Sequence, residues 1–184
     1  MADERYTRLK SLLTERAVQF GEFTLASGKT SDVYVDGRLF TLTSEGAALA
    51  AELLWERIAP LAPDAVGGPS LGADPIVGAL LHHAGVAGVP LAGFLVRKEP
   101  KGYGTKKAVE GPRPDVERPR VVVVEDTFTT GGSCMKAVDR VRAEWNAEIV
   151  AVFGIVDRGE GAVERYADAG ITLETLVSLA DLRP

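Results

Sequence analysis

Four consecutive valines, Val121 to Val124, lie in the second half of the chain and are followed at once by two carboxylates, Glu125 and Asp126. An unbroken β-branched run is typical of a parallel strand buried on both faces, because a half-exposed strand alternates apolar and polar residues. Sheets of such strands are covered by helices on both sides. The run therefore predicts an α/β fold, in which ligands bind at the carboxyl ends of the strands.

The rest of the chain alternates between strand and helix patterns. Further strands are predicted at 65–68, 91–96 and 148–156, with two short strands in 23–40 around a Ser-Gly-Lys turn. Helices are predicted at about 4–20, at 44–58, after Ala73, and where Cys134, Val138, Val141 and Trp145 share one face. The segment 98–117 has no periodicity and is expected to be mobile. The alternation predicts a parallel sheet with helices on both faces.

Size and composition exclude several classes of protein. The chain has 184 residues, 46% of them hydrophobic and 26% charged, as expected of one globular domain. The net charge of −5 disfavours broad attraction to nucleic acid or to anionic membranes. One cysteine, Cys134, permits neither an intramolecular disulfide nor a cysteine-rich zinc site. With a charged N-terminal sequence that does not resemble a secretory signal, these features predict a cytoplasmic protein.

The stretch 75–96 contains no Asp, Glu, Lys or Arg and is about as long as a membrane span. Its two histidines, Pro90 and several glycines instead predict a buried helix, a turn and a strand. No membrane partner is therefore expected.

The residues after the valines suit a ligand with two kinds of polar group. Adjacent carboxylates can accept hydrogen bonds from neighbouring hydroxyls, whereas they would repel a bare phosphate. The segment Thr127 to Ser133 supplies hydroxyls, backbone amides and two glycines before a helix, which suits a phosphate. Together they predict a site for a ribose 5-phosphate group. The alternative is that Asp126 and Thr130 only cap the helix.

Other phosphate and catalytic motifs fit the sequence less well. The chain contains neither a complete P-loop nor a G-x-G-x-x-G motif. Gly68 to Gly72 matches the G-x-S-x-G turn of hydrolases, but the only histidines, His82 and His83, fall within the predicted helix that comes after Ser70, and none follows a candidate acid. The two histidines are adjacent on a predicted helix and cannot both face one metal. A hydrolase triad is therefore not expected.

Several segments together resemble the orotate phosphoribosyltransferases of the type I phosphoribosyltransferase family. VVVVEDTFTTGGS at 121–133 is similar to the phosphoribosyl pyrophosphate signature. The segments 20–38, 66–76 and 96–111, with Val156-Asp157-Arg158, are similar to orotate phosphoribosyltransferase in particular. The resemblance implies one domain over 1–184, with an open, mostly parallel twisted sheet flanked by helices. It also implies a small N-terminal hood built by 1–42 and the C-terminal segment.

The resemblance further implies a reaction and its partners. Ribose 5-phosphate would pass from phosphoribosyl pyrophosphate to orotate, giving orotidine 5′-monophosphate and pyrophosphate. Mg²⁺ would arrive on phosphoribosyl pyrophosphate, because no cluster of carboxylates in the sequence suggests a closed protein cage. The family also implies a homodimer in which the loop 97–111 reaches the neighbouring subunit's site. Nucleic acid is not expected as a partner.

Roles follow from the resemblance residue by residue. Catalysis is assigned to Lys101, Tyr103 and Asp126. Phosphoribosyl pyrophosphate binding is assigned to Arg97, Lys98, Lys101, Tyr103, Glu125, Asp126, Thr127, Phe128, Thr129, Thr130, Gly131, Gly132 and Ser133. A pyrophosphate loop is assigned to Gly68, Pro69, Ser70, Leu71 and Gly72, and orotate binding to Thr129, Arg158, Lys29 and Tyr34.

Elementary electrostatics supports two of these roles. Five cations lie between Arg97 and Lys107, which suits a polyanion, although a solvated loop or a nucleic-acid patch would have the same composition. The guanidinium of Arg158 can form a bidentate pair with a planar carboxylate such as that of orotate. The alternative is that Arg158 pairs only with Asp157 or Glu160.

Three positions depart from the family pattern. Tyr103 stands where His is usual and Ala26 where Lys is usual, and both changes remove a possible positive charge. Phe128 is bulkier than the usual residue and is expected either to pack beneath the signature loop or to alter the base pocket. Two other hypotheses remain open: the same chemistry on another base such as a purine, and a non-catalytic regulator that binds nucleic acid through Lys98 to Lys107.

Overall fold

The computed structural model describes residues 3–24, 30–99 and 107–183. In these ranges the helices are α1 (Glu4–Arg16), α2 (Arg38–Thr41), α3 (Ser44–Ile58), α4 (Asp74–Val86), α5 (Gly132–Trp145) and α6 (Ala162–Asp168). The strands are β1 (Val18–Thr24), β2 (Thr30–Val35), β3 (Ala65–Pro69), β4 (Ala92–Val96), β5 (Val109–Glu110), β6 (Arg120–Phe128), β7 (Glu148–Asp157) and β8 (Leu173–Ser178). Two 3₁₀ turns cover Ala59–Leu61 and Leu179–Leu182.

A six-stranded sheet in the order β5-β4-β3-β6-β7-β8 forms the centre of the fold. Neighbouring strands from β4 to β8 are parallel, and β5 pairs antiparallel at the edge. The valine run occupies the middle of β6 and is fully buried. Val122 and Val124 pack with α3 and α4, whereas Val121 and Val123 pack with α5. The predicted α/β fold, with helices on both faces of a mostly parallel sheet, is confirmed.

Three predicted helices are confirmed, α3 with its cap, α5 with its buried face and α4 with its position in the chain. Thr43 caps α3 by accepting a hydrogen bond from the Gly46 amide at 3.1 Å. The predicted face of α5, from Cys134 to Trp145, is buried. The uncharged stretch 75–96 contains most of α4, a turn and β4, as predicted. Within the described ranges no helix is long and apolar enough to cross a membrane.

The N-terminal boundaries predicted from the sequence are wrong in two places. The first helix ends at Arg16, and Val18 and Phe20 lie on β1. Their apolar character serves a strand, since β1 and β2 pair as an antiparallel hairpin, which we call the hood. The predicted strand up to residue 40 ends at Val35, because the Asp36 carboxylate accepts a hydrogen bond from the Arg38 amide and the chain turns into α2.

The region after the valines also differs from the prediction. The strand was predicted to end at Val124, with a loop from Thr127, but β6 continues through Phe128 because β7 is long enough to pair as far as Asp157. The segment 98–117, expected to be irregular, contains β5, with Ala108 and Val109 buried. Neither α6 nor β8 was predicted from the sequence, and β8 completes the other edge of the sheet.

Candidate active site

The two carboxylates lie side by side near the carboxyl end of β6. Glu125 is only 7% exposed and Asp126 is half-buried. Burial, followed by the neighbouring Asp126, raises the pKa of Glu125 to about 9. Burial also raises the pKa of Asp126. The pair can therefore retain a proton at neutral pH while still offering oxygen atoms to a polar ligand.

Two glycines allow the backbone to approach these carboxylates closely. A methyl group on Gly72 would overlap the carboxylate oxygens of both Glu125 and Asp126. A methyl group on Gly37 would lie 2.8 Å from Asp126 Oδ2 and 2.9 Å from Thr127 Oγ1. Both positions therefore require glycine for steric reasons.

Residues 129–133, which we call the phosphate loop, comprise the turn between β6 and α5 and the first two residues of α5. Gly131 has a φ of +71° and directly precedes α5, so the chain turns here through the left-handed region that glycine adopts readily. The first amides of α5 have no partners within the helix, and they lie at the positive end of its dipole. This arrangement can bind a phosphate.

Tyr166 of α6 supports the phosphate loop from below. Its side chain is fully buried, and its hydroxyl donates a hydrogen bond to the Gly131 carbonyl at 3.3 Å. A methyl group on Gly131 would lie 2.7 Å from the Tyr166 ring. The conformation of the loop is therefore tied to a helix that the sequence analysis did not assign.

Phe128 packs beneath the loop, which decides between the two expectations for this residue. It is 1% exposed, and its ring meets Tyr166 edge to face, with centroids 5.9 Å apart and planes at 89°. Gly154 on β7 leaves room for the ring, since a methyl group there would lie 2.5 Å from Phe128 Cε2. The bulky residue is accommodated in the core beneath the loop.

A cavity of about 300 Å³ lies over the carboxylates. Its lining comprises Tyr34, Val35, Asp36, Arg38, Pro69, Ser70, Gly72, Glu125, Asp126, Thr127 and Ser133. The structure thus brings together predicted residues from the hood, the pyrophosphate loop and β6. Thr127 Oγ1 is buried without a hydrogen-bond partner among the described residues. A hydroxyl left unsatisfied in this way can bind a polar ligand.

Asp36 and Arg38 line this cavity but were not assigned a role from the sequence. The Arg38 guanidinium donates to both Asp36 carboxylate oxygens, at 2.8 and 2.9 Å. This hydrogen bonding lowers the pKa of Asp36. Only their position in the sequence could have indicated a role at the site, because both fall within the segment 20–38 that carries part of the family resemblance.

The pyrophosphate loop, Gly68 to Gly72, leaves β3 beside β6. Gly68 packs against the Val124 carbonyl so closely that a methyl group would overlap it. The Ser70 hydroxyl donates to Asp74 Oδ1 at 2.9 Å, whereas the side chain of His83 lies beside Trp55 with ring centroids 6.0 Å apart. The arrangement lacks the serine–histidine contact of a hydrolase in this part of the chain.

A second cavity, of about 540 Å³, opens on the other side of the pyrophosphate loop. Its lining comprises Pro69, Ser70, Val96, Arg97, Lys98, Glu99, Gly132, Ser133, Lys136, Ala137 and Arg140. Four cations and one carboxylate give it a positive charge that suits a polyanion. Lys29, Lys101 and Tyr103, which were predicted to act here or at the base, lie outside the described residues.

Thr129 and Arg158 follow neighbouring strands and are close together. The Arg158 amide donates to the Phe128 carbonyl at 2.9 Å. The Arg158 side chain is 7% exposed, with Nε 2.9 Å from Glu160 Oε1 and Nη2 donating to Ser31 Oγ of the hood at 3.3 Å. Arg158 therefore contacts the hood as well as Glu160, whereas the alternative hypothesis had it pair only with Asp157 or Glu160. Nε makes no well-aligned hydrogen bond among the described residues, so the guanidinium has capacity for a further acceptor.

Metal ligands are sparse around these cavities. Over the ranges that the structure describes, no three His, Cys, Asp or Glu side chains form a cluster that could hold a metal ion. Any cation at the carboxylates would need oxygen ligands from another molecule to complete its coordination.

Comparison with known proteins gives a consistent result. A sequence model of the phosphoribosyl transferase domain matches residues 41–179. Orotate phosphoribosyltransferases from Bradyrhizobium diazoefficiens and Streptomyces coelicolor are 44% and 47% identical to the chain, over 95% and 93% of its length and 94% and 92% of theirs. The structure of Mycobacterium tuberculosis orotate phosphoribosyltransferase with 5-phospho-α-D-ribosyl 1-diphosphate (PRPP) superposes with a TM-score of 0.78. It is 34% identical and covers 97% of this chain and 98% of that one. The chain belongs to the orotate phosphoribosyltransferases of the phosphoribosyltransferase family.

Proposed function

We propose that this protein transfers ribose 5-phosphate from PRPP to orotate, giving orotidine 5′-monophosphate and pyrophosphate. The observation that carries the proposal is one cavity lined both by the carboxylate pair Glu125 and Asp126 and by Ser133 of the phosphate loop. A ribose 5-phosphate group has a diol and a phosphate a few ångströms apart and matches both features. The relatives of this chain include enzymes named for orotate and a structure with PRPP.

The proposed division of labour follows the chemistry of each part. The 5-phosphate would accept hydrogen bonds from the phosphate loop, and the ribose hydroxyls would donate to Asp126 and Glu125. Loss of pyrophosphate leaves positive charge on the sugar carbon and develops negative charge on the leaving group. Arg97 and Lys98, beside the 540 Å³ cavity, would stabilise that negative charge. We assign the further roles of Lys101 and Tyr103 on the family resemblance alone.

Orotate would bind through its carboxylate to Arg158. The buried guanidinium retains donor capacity and lies next to Thr129, which would bind the base from the end of the neighbouring strand. Tyr34 lines the 300 Å³ cavity from the hood and would cover the base. Lys29 belongs to the same proposed subsite by resemblance.

Mg²⁺ would enter with PRPP. The oxygen-rich pair Glu125 and Asp126 fits a hard cation, but these two side chains alone cannot complete its coordination. When bound, the cation would neutralise charge on the diphosphate.

A homodimer is the proposed assembly. Leu39, Leu42 and Leu71 are large apolar residues that are 48%, 73% and 66% exposed, and all three line a shallow cavity of about 740 Å³ beside the active site. We call these three residues the leucine patch. A second subunit would cover it, in keeping with the implied loop exchange around residues 97–111.

The deciding experiment measures orotidine 5′-monophosphate formation from PRPP, Mg²⁺ and orotate, with other bases in parallel. Arg158→Ala is expected to raise the KM for orotate by about tenfold or more, because a charged hydrogen-bond donor to the substrate is lost. The KM for PRPP should change little. Arg118→Ala, which removes an exposed guanidinium, is the matched control.

Each other outcome points elsewhere. Turnover of a purine but not of orotate would show that the acceptor base is a purine and would contradict the proposed one. PRPP binding without turnover of any base would contradict the enzymatic proposal and favour the non-catalytic hypothesis.

A further inference from the structure

The two ends of the segment 97–109 are attached to one face of α5. At the first end, the Arg140 guanidinium donates to the Arg97 carbonyl and, at 2.9 Å, to the Lys98 carbonyl. At the second end, the Glu144 carboxylate accepts from the Ala108 amide at 2.8 Å and from the Val109 amide at 3.2 Å. Residues 140 and 144 are one helical turn apart and therefore share a face. One face of α5 thus holds both stems.

The stems are also joined to each other. The Arg97 amide donates to the Ala108 carbonyl at 2.9 Å, and Val96 pairs with Val109 in the β4–β5 ladder. The Arg97 side chain donates through Nε to Glu110 Oε1 at 2.9 Å. The Arg97 backbone is therefore fixed from two directions, by the opposite stem and by Arg140.

The same helix begins at the phosphate loop. Arg140 lies eight residues after Gly132, about 12 Å along the axis at 1.5 Å per residue. The 540 Å³ cavity is lined by Gly132, Ser133, Lys136 and Arg140 of this helix together with Arg97 and Lys98. A rigid α5 therefore sets the separation between the phosphate loop and the two cations.

The choice of arginine at position 140 has a chemical reason. Its planar fork can donate to two successive carbonyls at once, which a lysine ammonium does with poorer geometry. The guanidinium also adds a positive charge beside Arg97 and Lys98, which is unfavourable until an anion enters. A diphosphate would offset that repulsion.

We propose that Arg140 is a positioning residue for phosphoryl-group recognition, holding the backbone of Arg97 and Lys98 at the distance from the phosphate loop that the diphosphate requires. Glu144 does the same for the second stem. The inference rests on the proposed function, because it assigns to Arg97 and Lys98 the stabilisation of the leaving pyrophosphate. Arg140 itself acts through the backbone of these two residues.

The test compares Arg140→Met, which keeps the aliphatic length but removes the donors, with Arg140→Lys. Arg140→Met should lower kcat by about tenfold with a smaller effect on the KM for PRPP, because misplacement acts mainly on the transition state. Its KM for orotate should not change. Arg140→Lys should recover part of kcat. Arg142→Met, an exposed arginine on the same helix, is the control and should behave as the wild type.

A second readout does not depend on activity. Hydrogen exchange at the Arg97 and Ala108 amides should become at least about tenfold faster in Arg140→Met and Glu144→Ala than in the control. Wild-type kcat in Arg140→Met, or unchanged exchange at both amides, would overturn the positioning role. If Arg140→Met does not fold, Arg140→Lys and Glu144→Ala carry the same comparison. If the wild type is inactive but exchange is faster in the variants as expected, the proposed function is contradicted. The attachment of the two stems to α5 would still be supported.

Discussion

Glu125 lies in surroundings that oppose its own charge. It is buried beside Asp126, and its pKa of about 9 means that the folded protein holds a proton which the unfolded chain releases near the ordinary value of 4.5. Below pH 4.5 the carboxyl group is protonated in both the folded and the unfolded state, so it does not change the free energy of unfolding. Between pH 4.5 and 9 the unfolded state increasingly gains from deprotonation, so folding stability falls as the pH rises.

Glu125→Gln should therefore stabilise the protein by an amount that grows with pH. Glutamine keeps a donor for Asp126 and has no proton to lose, and each unit of pKa difference corresponds to about 1.4 kcal/mol. We expect little change at pH 5 and a gain of at least about 1 kcal/mol at pH 8, measured by denaturant unfolding without ligand. Asp139→Asn, on the exposed side of α5, is the control. A pH-independent difference would contradict this explanation.

Site residues could be predicted from the sequence where the residues that form a chemical pattern are close together in the chain. Glu125, Asp126 and Ser133 belong to one continuous signature, and the structure brings them to one cavity as expected. Asp36 and Arg38 were missed because 23–40 was predicted as two short strands and no local motif marks these two residues. Only tertiary folding carries them to Asp126, whose Oδ2 would lie 2.8 Å from a methyl group on Gly37.

At the scale of elements, the phosphate loop depends on α6 as much as on its own sequence. Tyr166→Phe removes the hydroxyl that donates to the Gly131 carbonyl. We expect the KM for PRPP to rise about twofold to fivefold and stability to fall by roughly 1 kcal/mol, the net value of one buried hydrogen bond.

Tyr6→Phe provides the matched comparison for this prediction. It also removes a tyrosine hydroxyl, one that accepts a hydrogen bond from Arg57 at 2.5 Å on the far helices α1 and α3. This variant should lose stability without changing the KM for PRPP. Equal KM values in both variants would show that Tyr166 supports the fold but not the loop.

Elements were predictable where their own residues determine them. The valines of β6 and the apolar faces of α3 and α5 are strong local patterns. In contrast, β5 has two residues and exists because it pairs with β4, and β8 is a six-residue edge strand without regular alternation of buried and exposed residues. Such strands depend on partners distant in sequence, which local periodicity does not detect.

For the whole molecule, the leucine patch is the feature that a monomer does not explain. Leu42→Asp would place a charge in the proposed subunit interface, and we expect sedimentation equilibrium to show dissociation to monomers. Val86→Asp is the control, because Val86 is 77% exposed but lies at the opposite end of α4 from the patch. A wild-type protein that is already monomeric would refute the proposed assembly.

The contact between Phe128 and Gly154 limits the order in which the protein can evolve. Any side chain at 154 collides with the ring while Phe128 is present, since even a methyl group would lie 2.5 Å from it. A smaller residue at 128 must come first, at the cost of a void above β7. Only then can alanine at 154 be accommodated, with a small shift of Thr175, whose Cγ2 would lie 3.0 Å from the new methyl group. The two sites therefore show sign epistasis, and the double variant is reached only through a weakened intermediate.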